Sequence, residues 1–175
     1  MRRVLLIGAG GAGKSTLARA IAARTGLPLI HLDALYWQPG WVETPPAEWR
    51  AIVQSLLQRD AWVMDGNYGG TLDLRLAACD SVVFLDLPPA VCLWRVLKRR
   101  LRHRGESRPD MTPGCPERLS ADFLMWIAGY RLRRRAGILR RLAAAAREGK
   151  RIVVLTSDAD VDAFVAKLPA AAASI

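Results

Sequence analysis

The sequence predicts an α/β fold in which a parallel β-sheet is covered by helices on both faces. Two observations predict it. Apolar runs alternate along the chain with segments that have helical spacing, and the runs are continuous rather than alternating, as in strands buried on both faces. The predicted strands are 2–7, 29–32, 61–64, 81–85 and 151–155.

The first strand runs into a glycine-rich stretch and then into a helical segment. The stretch Gly8–Ser15 reads GAGGAGKS and fits the phosphate-binding (P-loop) pattern G-x-x-x-x-G-K-[ST]. Its small residues let successive backbone N–H groups point into one concavity, to which the following helix adds the positive end of its dipole. The lysine then reaches the outer phosphates, and the serine hydroxyl is placed to bind Mg²⁺. The predicted cofactor-binding residues here are Gly8, Gly10, Gly11, Ala12, Gly13, Lys14, Ser15 and Thr16.

Strands, turns and one clear helix alternate through the middle of the chain. The second strand ends at Asp33, and an aromatic, proline-rich loop follows over 36–46. A helix with an apolar face begins near Pro46 and runs to Leu57. The third strand ends in the turn-forming sequence Asp65-Gly66-Asn67-Tyr68.

The second half predicts two further helices, a loop between them, and a last strand and helix. Ser120 is a plausible N-cap for the longer of the two helices, and Gly149 closes it. The predicted ranges are a helix from about 89 to His103, a mobile loop over 104–119, a helix over 121–148, a short helix over 159–168 and a frayed tail over 169–175.

Length and composition favour a single domain over 1–175, which is long enough to bury a hydrophobic core. The sequence has no run of eighteen apolar residues and no signal-peptide pattern, so we expect a cytoplasmic protein without a membrane partner. The three cysteines form no C-x-x-C pair, which argues against a disulfide framework and a four-cysteine zinc site. We also expect a monomer.

The net charge of +10 lies in one quarter of the chain. Residues 94–141 carry fourteen Lys or Arg and four Asp or Glu, whereas the remainder has twelve of each sign. Such a segment suits a lid that closes over a polyanion, and it also suits a nucleic-acid-binding patch.

Acidic residues follow several of the predicted strands, at the sheet edge where ligands bind in such folds. Asp65 ends an apolar strand in the manner of a Mg²⁺-binding acid, and Asp86 is its competitor. Together with Ser15, Asp65 is the predicted metal site. An acid at a strand end also commonly caps the next turn, and that alternative stays open for both residues.

Asp33 is the predicted residue on the acceptor side, either as a base or as the group that orients an acceptor hydroxyl. His31, inside the same strand, is interpreted as a packed core histidine. Aromatic residues supply apolar walls with polar tips, and those of the following loop form a candidate acceptor pocket. The aromatic residues considered are Tyr36, Trp37, Trp41, Trp49 and Tyr68, of which Trp49 is assigned to the core.

Arginines dominate the basic segment, and their planar forks match phosphate oxygens in a way that lysine does not. Arg95 and Arg99 are one helical turn apart and share a face. The candidates for charge neutralisation are Arg95, Arg99, Arg104, Arg108, Arg131 and Arg135.

The chain resembles small P-loop proteins described as adenylate kinase-like or DNA topology modulation (FlaR-like) proteins. The matching stretches are Gly8–Thr16, His31–Trp37, Asp65–Tyr68, Leu93–Arg100, Arg108–Met111 and Gly114–Arg118. The wider resemblance is to nucleoside monophosphate and shikimate-type kinases. It implies a five-stranded parallel sheet in the order 2-3-1-4-5, ATP and Mg²⁺ as cofactors, and transfer of phosphate to a nucleotide or small-molecule acceptor.

The same resemblance implies roles for single residues. Arg95 resembles a residue that contacts the adenine of ATP, and Arg99 one that contacts its phosphates. Arg131 and Arg135 resemble the arginines that close a kinase lid, and Asp33 resembles the strand-end acid of shikimate-type kinases. The predicted catalytic set is Lys14, Asp33, Arg99, Arg131 and Arg135.

The sequence departs from adenylate kinases after Asp65-Gly66, where Asn67-Tyr68-Gly69 replaces Phe-Pro-Arg and Arg75 is the nearest arginine. AMP is therefore not indicated as the acceptor. A nucleotide-switched nucleic-acid-binding protein is the alternative hypothesis. It is disfavoured because no helix-turn-helix, zinc-finger or aromatic RNA-binding motif accompanies the arginines.

Overall fold

The computed structural model of the protein describes residues 1–102, 110–116 and 118–169. Parts of the predicted loop over 104–119 and most of the predicted tail lie outside these residues, as do His103, Arg104 and Arg108. The strands are β1 (Arg3–Gly8), β2 (Leu29–His31), β3 (Trp37–Gln38), β4 (Val42–Glu43), β5 (Trp62–Asp65), β6 (Ser81–Leu85) and β7 (Arg151–Leu155). The α-helices are α1 (Lys14–Thr25), α2 (Asp33–Tyr36), α3 (Pro46–Leu57), α4 (Leu72–Ala78), α5 (Pro89–Arg102), α6 (Ala121–Tyr130), α7 (Ala136–Arg147) and α8 (Asp158–Ala166).

Five parallel strands form the main sheet in the order β2-β5-β1-β6-β7. Counting only the strands of this sheet, the order is 2-3-1-4-5, which confirms the predicted α/β fold. The middle residues of the central strands are apolar because both faces of the sheet are covered, and Leu5, Val63 and Val83 are completely buried. Helix α1 packs on β1, β2 and β5, and α7 and α8 contact β7.

The region between β2 and β5 is more regular than predicted. Strand β2 stops at His31 and the chain turns at once into the helical turn α2. Strands β3 and β4 form a two-stranded antiparallel hairpin in the segment predicted to be a loop. Its turn passes through Gly40 and Trp41, and Trp41 has a φ of 66°. Strands of two residues carry too little alternation to be recognised in a sequence.

The predicted long helix is interrupted in its middle. It begins after Ser120, whose side chain accepts a hydrogen bond from the Phe123 N–H, as the N-cap prediction required. Between α6 and α7 the segment Arg131–Arg135 is π-helical. Short π-helical segments are frequently found at functional sites. Helix α4, which follows a 3₁₀ turn at Gly69–Thr71, was not predicted because it is only seven residues long.

Within the described residues, none of the helices is long and apolar enough to cross a membrane. The β-strands of the main sheet all point the same way, so their carboxyl ends lie along one edge. The P-loop, Asp33, Asp65 and Asp86 follow four of these strand ends. The fold therefore gathers at one edge the residues that the sequence singles out.

Candidate active site

The P-loop joins β1 to α1, and residues of α5 and α6 pack tightly against it. Gly11 and Gly13 have φ values of 79° and 94°, which side chains rarely adopt. A Cβ on Gly11 would lie 2.3 Å from the Cys92 carbonyl oxygen, and a Cβ on Gly10 would lie 2.7 Å from the Phe123 ring. Helices α5 and α6 therefore pack directly on the loop, and the backbone of α5 leaves room only for glycine at position 11.

Lys14 lies across the mouth of the loop. Its Nζ donates hydrogen bonds to the carbonyl oxygens of Gly8 and Ala9, each at 3.0 Å. Burial lowers the pKa of Lys14, while the charges of Asp33 and Asp65 act in the opposite direction. An ammonium group whose partners are two carbonyls and two nearby carboxylates is well placed to exchange these for phosphate oxygens.

Asn67 fixes the start of the P-loop. Its side-chain oxygen accepts a hydrogen bond from the Gly8 N–H at 3.1 Å, and its side-chain nitrogen donates one to the Gly8 carbonyl at 2.6 Å. The side-chain amide thus forms one accepted and one donated hydrogen bond with the Gly8 backbone, as a residue of a neighbouring strand would. The sequence identifies Asn67 only as a turn residue, since nothing local in it indicates a partner 59 positions away.

Arg75 holds the segment from which Asn67 projects. It is completely buried, and its guanidinium donates to the carbonyl oxygens of Gly66, Asn67 and Tyr68 at 2.7–3.0 Å. Burial lowers the pKa of Arg75 to about 10. Arg75, the nearest arginine in sequence to the Phe-Pro-Arg position of adenylate kinases, therefore uses its donors inside the protein.

Asp65 and His31 form a cross-strand pair at the edge of the sheet. They are register partners on the parallel strands β5 and β2, and the His31 Nδ1 lies 2.7 Å from the Asp65 Oδ1. Both side chains are largely covered, at 16% and 6% exposure. The hydrogen bond to Asp65 raises the pKa of His31, against partial burial, which lowers it. His31 is packed, as predicted, but it also binds a carboxylate.

The hairpin formed by β3 and β4 builds an aromatic wall beside Asp33. Five rings are linked by contacts with centroid distances of 4.5–5.2 Å. They are Tyr36, Trp37, Trp41, Trp49 and Tyr68, and only Trp49 lies in the core, at 5% exposure.

The described part of the segment after α5 is docked on this hairpin. The Thr112 hydroxyl donates to the carbonyl oxygens of Ala34 and Trp37 at 3.0 and 2.6 Å. The Arg118 guanidinium lies 4.8 Å from the centre of the Trp41 ring, in a cation–π contact. Cys115 is buried there, with its thiol directed at the Gln38 carbonyl oxygen at 3.2 Å. This segment therefore borders the cleft on the side of Asp33 and the hairpin.

The predicted arginines divide into two groups. Arg95 and Arg99 line the cleft above the P-loop, where Arg95 donates to the Ala12 carbonyl oxygen at 3.3 Å and pairs with Asp158. Arg131 and Arg135 instead bind Asp86, whose side chain is 1% exposed, at 3.1 and 2.6 Å. Asp86, the competitor for Mg²⁺, is thus already neutralised by two guanidinium groups.

These features surround one cleft of about 1050 Å³. It is lined by the outer part of the P-loop, both strand-end acids Asp33 and Asp65, the hairpin tryptophans and the arginines of α5. Among the predicted residues, those in the lining are Gly10, Gly11, Gly13, Lys14, Ser15, Thr16, Asp33, Asp65, Arg95 and Arg99. Gly8, Ala12, Arg131 and Arg135 lie outside it. Lining residues that were not predicted include Arg19, Lys98 and Trp126.

The donor set at the floor of the cleft fits Mg²⁺. Ser15 and Asp65 both line it and offer a hydroxyl and a carboxylate oxygen. In the described part of the chain there is no group of three or more His, Cys, Asp or Glu side chains that could hold a metal alone. Bound at phosphates, Mg²⁺ keeps several water and phosphate ligands and uses one or two protein ligands, which Ser15 and Asp65 can supply.

Comparison with known proteins supports the same class of site. Residues 4–86 match the family model described as ATPase family associated with various cellular activities. The chain is 32% identical over 142 residues to a shikimate kinase of Phocaeicola vulgatus, covering 71% of this chain and 76% of that protein.

Two solved structures share the fold. Shikimate kinase from Acinetobacter baumannii in complex with shikimate has a TM-score of 0.55 at 18% identity, covering 95% of this chain and 90% of the other. Shikimate kinase from Bacteroides thetaiotaomicron has a TM-score of 0.53 at 18% identity, covering 95% of both chains.

Proposed function

The chain belongs to the P-loop kinase family that includes shikimate kinase, and from this premise we propose that it moves the terminal phosphoryl group of ATP to a hydroxyl of a small acceptor held at Asp33. The observation that carries the proposal is the shared cleft. Lys14 and Ser15 on one side and Asp33 on the other line the same space. A donor and an acceptor bound there would be held next to each other in one space.

The donor side would bind ATP through its phosphates. The backbone N–H groups of the P-loop and the N-terminus of α1 favour phosphate oxygens, and Lys14 adds a positive charge. Arg95 and Arg99 face the same space from α5, where Arg99 would stabilise charge on the transferring group and Arg95 would contact the nucleotide. Ser15 and Asp65 would hold Mg²⁺, which neutralises charge across the outer phosphates when it is bound.

The acceptor side would depend on Asp33. As the acceptor oxygen bonds to phosphorus, its proton passes to the Asp33 carboxylate, and the bond from phosphorus to the bridging oxygen of ATP breaks to leave ADP. Tyr68 donates a hydrogen bond to one oxygen of this carboxylate, which fixes its orientation. Little further covalent chemistry is required of the protein.

The walls beside Asp33 favour a small cyclic alcohol with an acidic group. Trp37, Trp41 and Tyr68 offer ring faces to the C–H groups of such a molecule, while Arg118 and Arg19 supply positive charge at the same cleft. Shikimate has this chemistry and is the substrate named for the relatives, so it is the first acceptor to test. The aromatic loop is less suited to a second nucleotide, which would bring a further phosphate.

The proposal is tested by a phosphoryl-transfer screen with ATP and Mg²⁺ over shikimate, other hydroxy acids, small alcohols and nucleoside monophosphates. We expect a cyclic hydroxy acid to be phosphorylated and nucleoside monophosphates to be poor acceptors. Asp33→Asn should abolish transfer while ATP still binds. Transfer to no acceptor, with ATP hydrolysis alone, would contradict the proposal.

The nucleic-acid-binding alternative is favoured by one observation, the excess positive charge of residues 94–141. It predicts DNA binding that weakens steeply with salt and survives loss of Lys14. The ion pairs of Arg131 and Arg135 with Asp86 argue against this alternative, because they tie two arginines of the basic segment to a buried carboxylate of the same chain.

A further inference from the structure

We infer that His31 is a positioning residue that holds Asp65 from behind and leaves its second carboxylate oxygen directed to the Mg²⁺ position beside Ser15. The inference rests on the proposed function, because it concerns the metal of that same site. It assigns a task in phosphoryl transfer to a histidine that the sequence pattern indicates only as a core residue.

The pairing is imposed by the sheet. His31 ends β2 and Asp65 ends β5, and the two residues are register partners in adjacent parallel strands. Their side chains therefore leave the sheet side by side, with the His31 Nδ1 at 2.7 Å from the Asp65 Oδ1. An ionised carboxylate only accepts hydrogen bonds, so the imidazole nitrogen is the donor.

The two members of the pair have different positions relative to the cleft. Asp65 lines the cleft together with Lys14 and Ser15, whereas His31 does not line it. Of the two side chains, the Asp65 carboxylate is therefore the one that faces the space in which the nucleotide would bind. Among the described residues, His31 makes the only hydrogen bond to the Asp65 side chain, and this bond uses Oδ1. Oδ2 is the oxygen that remains for the cleft.

Metal-binding carboxylates are commonly oriented in this way by an outer partner. Loss of such a partner typically weakens metal binding or activity by about 10–100-fold, although the partner never touches the metal. The neighbouring carboxylate provides a contrast inside the same site, because Asp33 is held by the Tyr68 hydroxyl at 2.6 Å and not by an imidazole. The two acids of the cleft floor are therefore oriented by separate donors.

The test compares His31→Asn, His31→Gln and His31→Leu with the wild type. The amide nitrogen of asparagine falls near the position of Nδ1, whereas that of glutamine falls near Nε2, so only asparagine restores the donor to Asp65. The measurement is the affinity for a non-hydrolysable ATP analogue by calorimetry, once with Mg²⁺ and once in EDTA. The ratio of the two affinities is the contribution of the metal, and the EDTA value reports the integrity of the P-loop.

We expect the metal-dependent ratio to fall by about 10–100-fold in His31→Leu and His31→Gln and to stay near the wild-type ratio in His31→Asn. Affinity in EDTA should be unchanged in all three. Tyr68→Phe is the matched control, since it removes the corresponding bond to Asp33 and should leave the ratio intact. If His31→Leu does not fold, the comparison of the Asn and Gln variants decides.

An unchanged ratio in His31→Gln, or equal loss in the Asn and Gln variants, would overturn the inference. A fall in EDTA affinity that matches the fall with Mg²⁺ would also overturn it, because the role would then be structural. Failure of the wild type to bind the nucleotide analogue at all is a different result, which would contradict the proposed function itself.

Discussion

The Tyr68 hydroxyl oxygen lies 2.6 Å from the Oδ1 of Asp33, joining the turn after β5 to the first residue of α2. Burial raises the pKa of Tyr68 above its ordinary value, and the negative charge of Asp33 acts in the same direction. The phenol is therefore protonated at neutral pH and donates to the carboxylate. Because one oxygen of Asp33 accepts this hydrogen bond, the orientation of the carboxylate is fixed and its other oxygen can accept a further hydrogen bond.

Tyr68→Phe should impair use of the acceptor more than use of ATP. The variant keeps the ring and its contacts but releases Asp33, and a lost neutral donor to a charged group costs about 1.5–3 kcal/mol. We expect kcat/KM for the acceptor to fall by about 10–100-fold, with the KM for ATP nearly unchanged. Steady-state kinetics with each substrate varied in turn checks this. An equal rise in the KM for ATP would show that Tyr68 acts on the whole cleft.

Asn67→Ala should loosen the P-loop from the sheet. Both hydrogen bonds between the Asn67 amide and the Gly8 backbone are lost, and partly buried groups left unpaired cost about 1–3 kcal/mol. We expect a lower free energy of unfolding and weaker ATP binding together. Urea unfolding with and without ATP measures both effects.

Asn67→Asp is the matched control for this prediction. It keeps the acceptor for the Gly8 N–H, loses the donor to the Gly8 carbonyl, and adds a negative charge close to the phosphate position. ATP binding should therefore fall further than in Asn67→Ala. Equal ATP affinity in the two variants would show that the P-loop is not where the phosphates bind.

Arg75→Met should destabilise the fold strongly. The guanidinium satisfies the carbonyl oxygens of Gly66, Asn67 and Tyr68 inside the protein, and each carbonyl left without a donor costs about 1–3 kcal/mol. We expect a loss of about 3 kcal/mol or more in chemical unfolding. Arg75→Lys should not rescue it, because an ammonium group lacks the planar fork that reaches three carbonyls. A wild-type melting curve for Arg75→Lys would contradict this account.

The sequence predicted the main sheet well because its signals are local. Each strand of the sheet is a continuous apolar run, and the glycines and Lys14 of the P-loop follow the first of them directly. The acids after β2, β5 and β6 could likewise be placed at one edge, since parallel strands end together. Each of these features can be recognised from residues that are adjacent in the chain.

The partners of the site residues were not predictable in the same way. Three sets of contacts in the site join residues that are more than thirty positions apart in the sequence. They are the hydrogen bonds of Asn67 with Gly8, the hydrogen bond of Tyr68 to Asp33 and the ion pairs of Asp86. Arg131 and Arg135 illustrate the consequence. Their place in the basic segment and their resemblance to lid-closing arginines suggested two phosphate-binding arginines, but both bind one buried carboxylate from the π-helical segment. Their contact with a bound nucleotide stays a prediction.

We propose that the P-loop binds the donor phosphates and that Lys14 stabilises the transferring group. The decisive measurement is phosphoryl transfer from ATP in the wild type and in Lys14→Ala, with melting temperature as the control for folding. Removal of one charged donor from the reacting phosphate should lower kcat by about 100-fold or more, while the variant remains folded. Undiminished transfer by a folded Lys14→Ala variant would contradict the account.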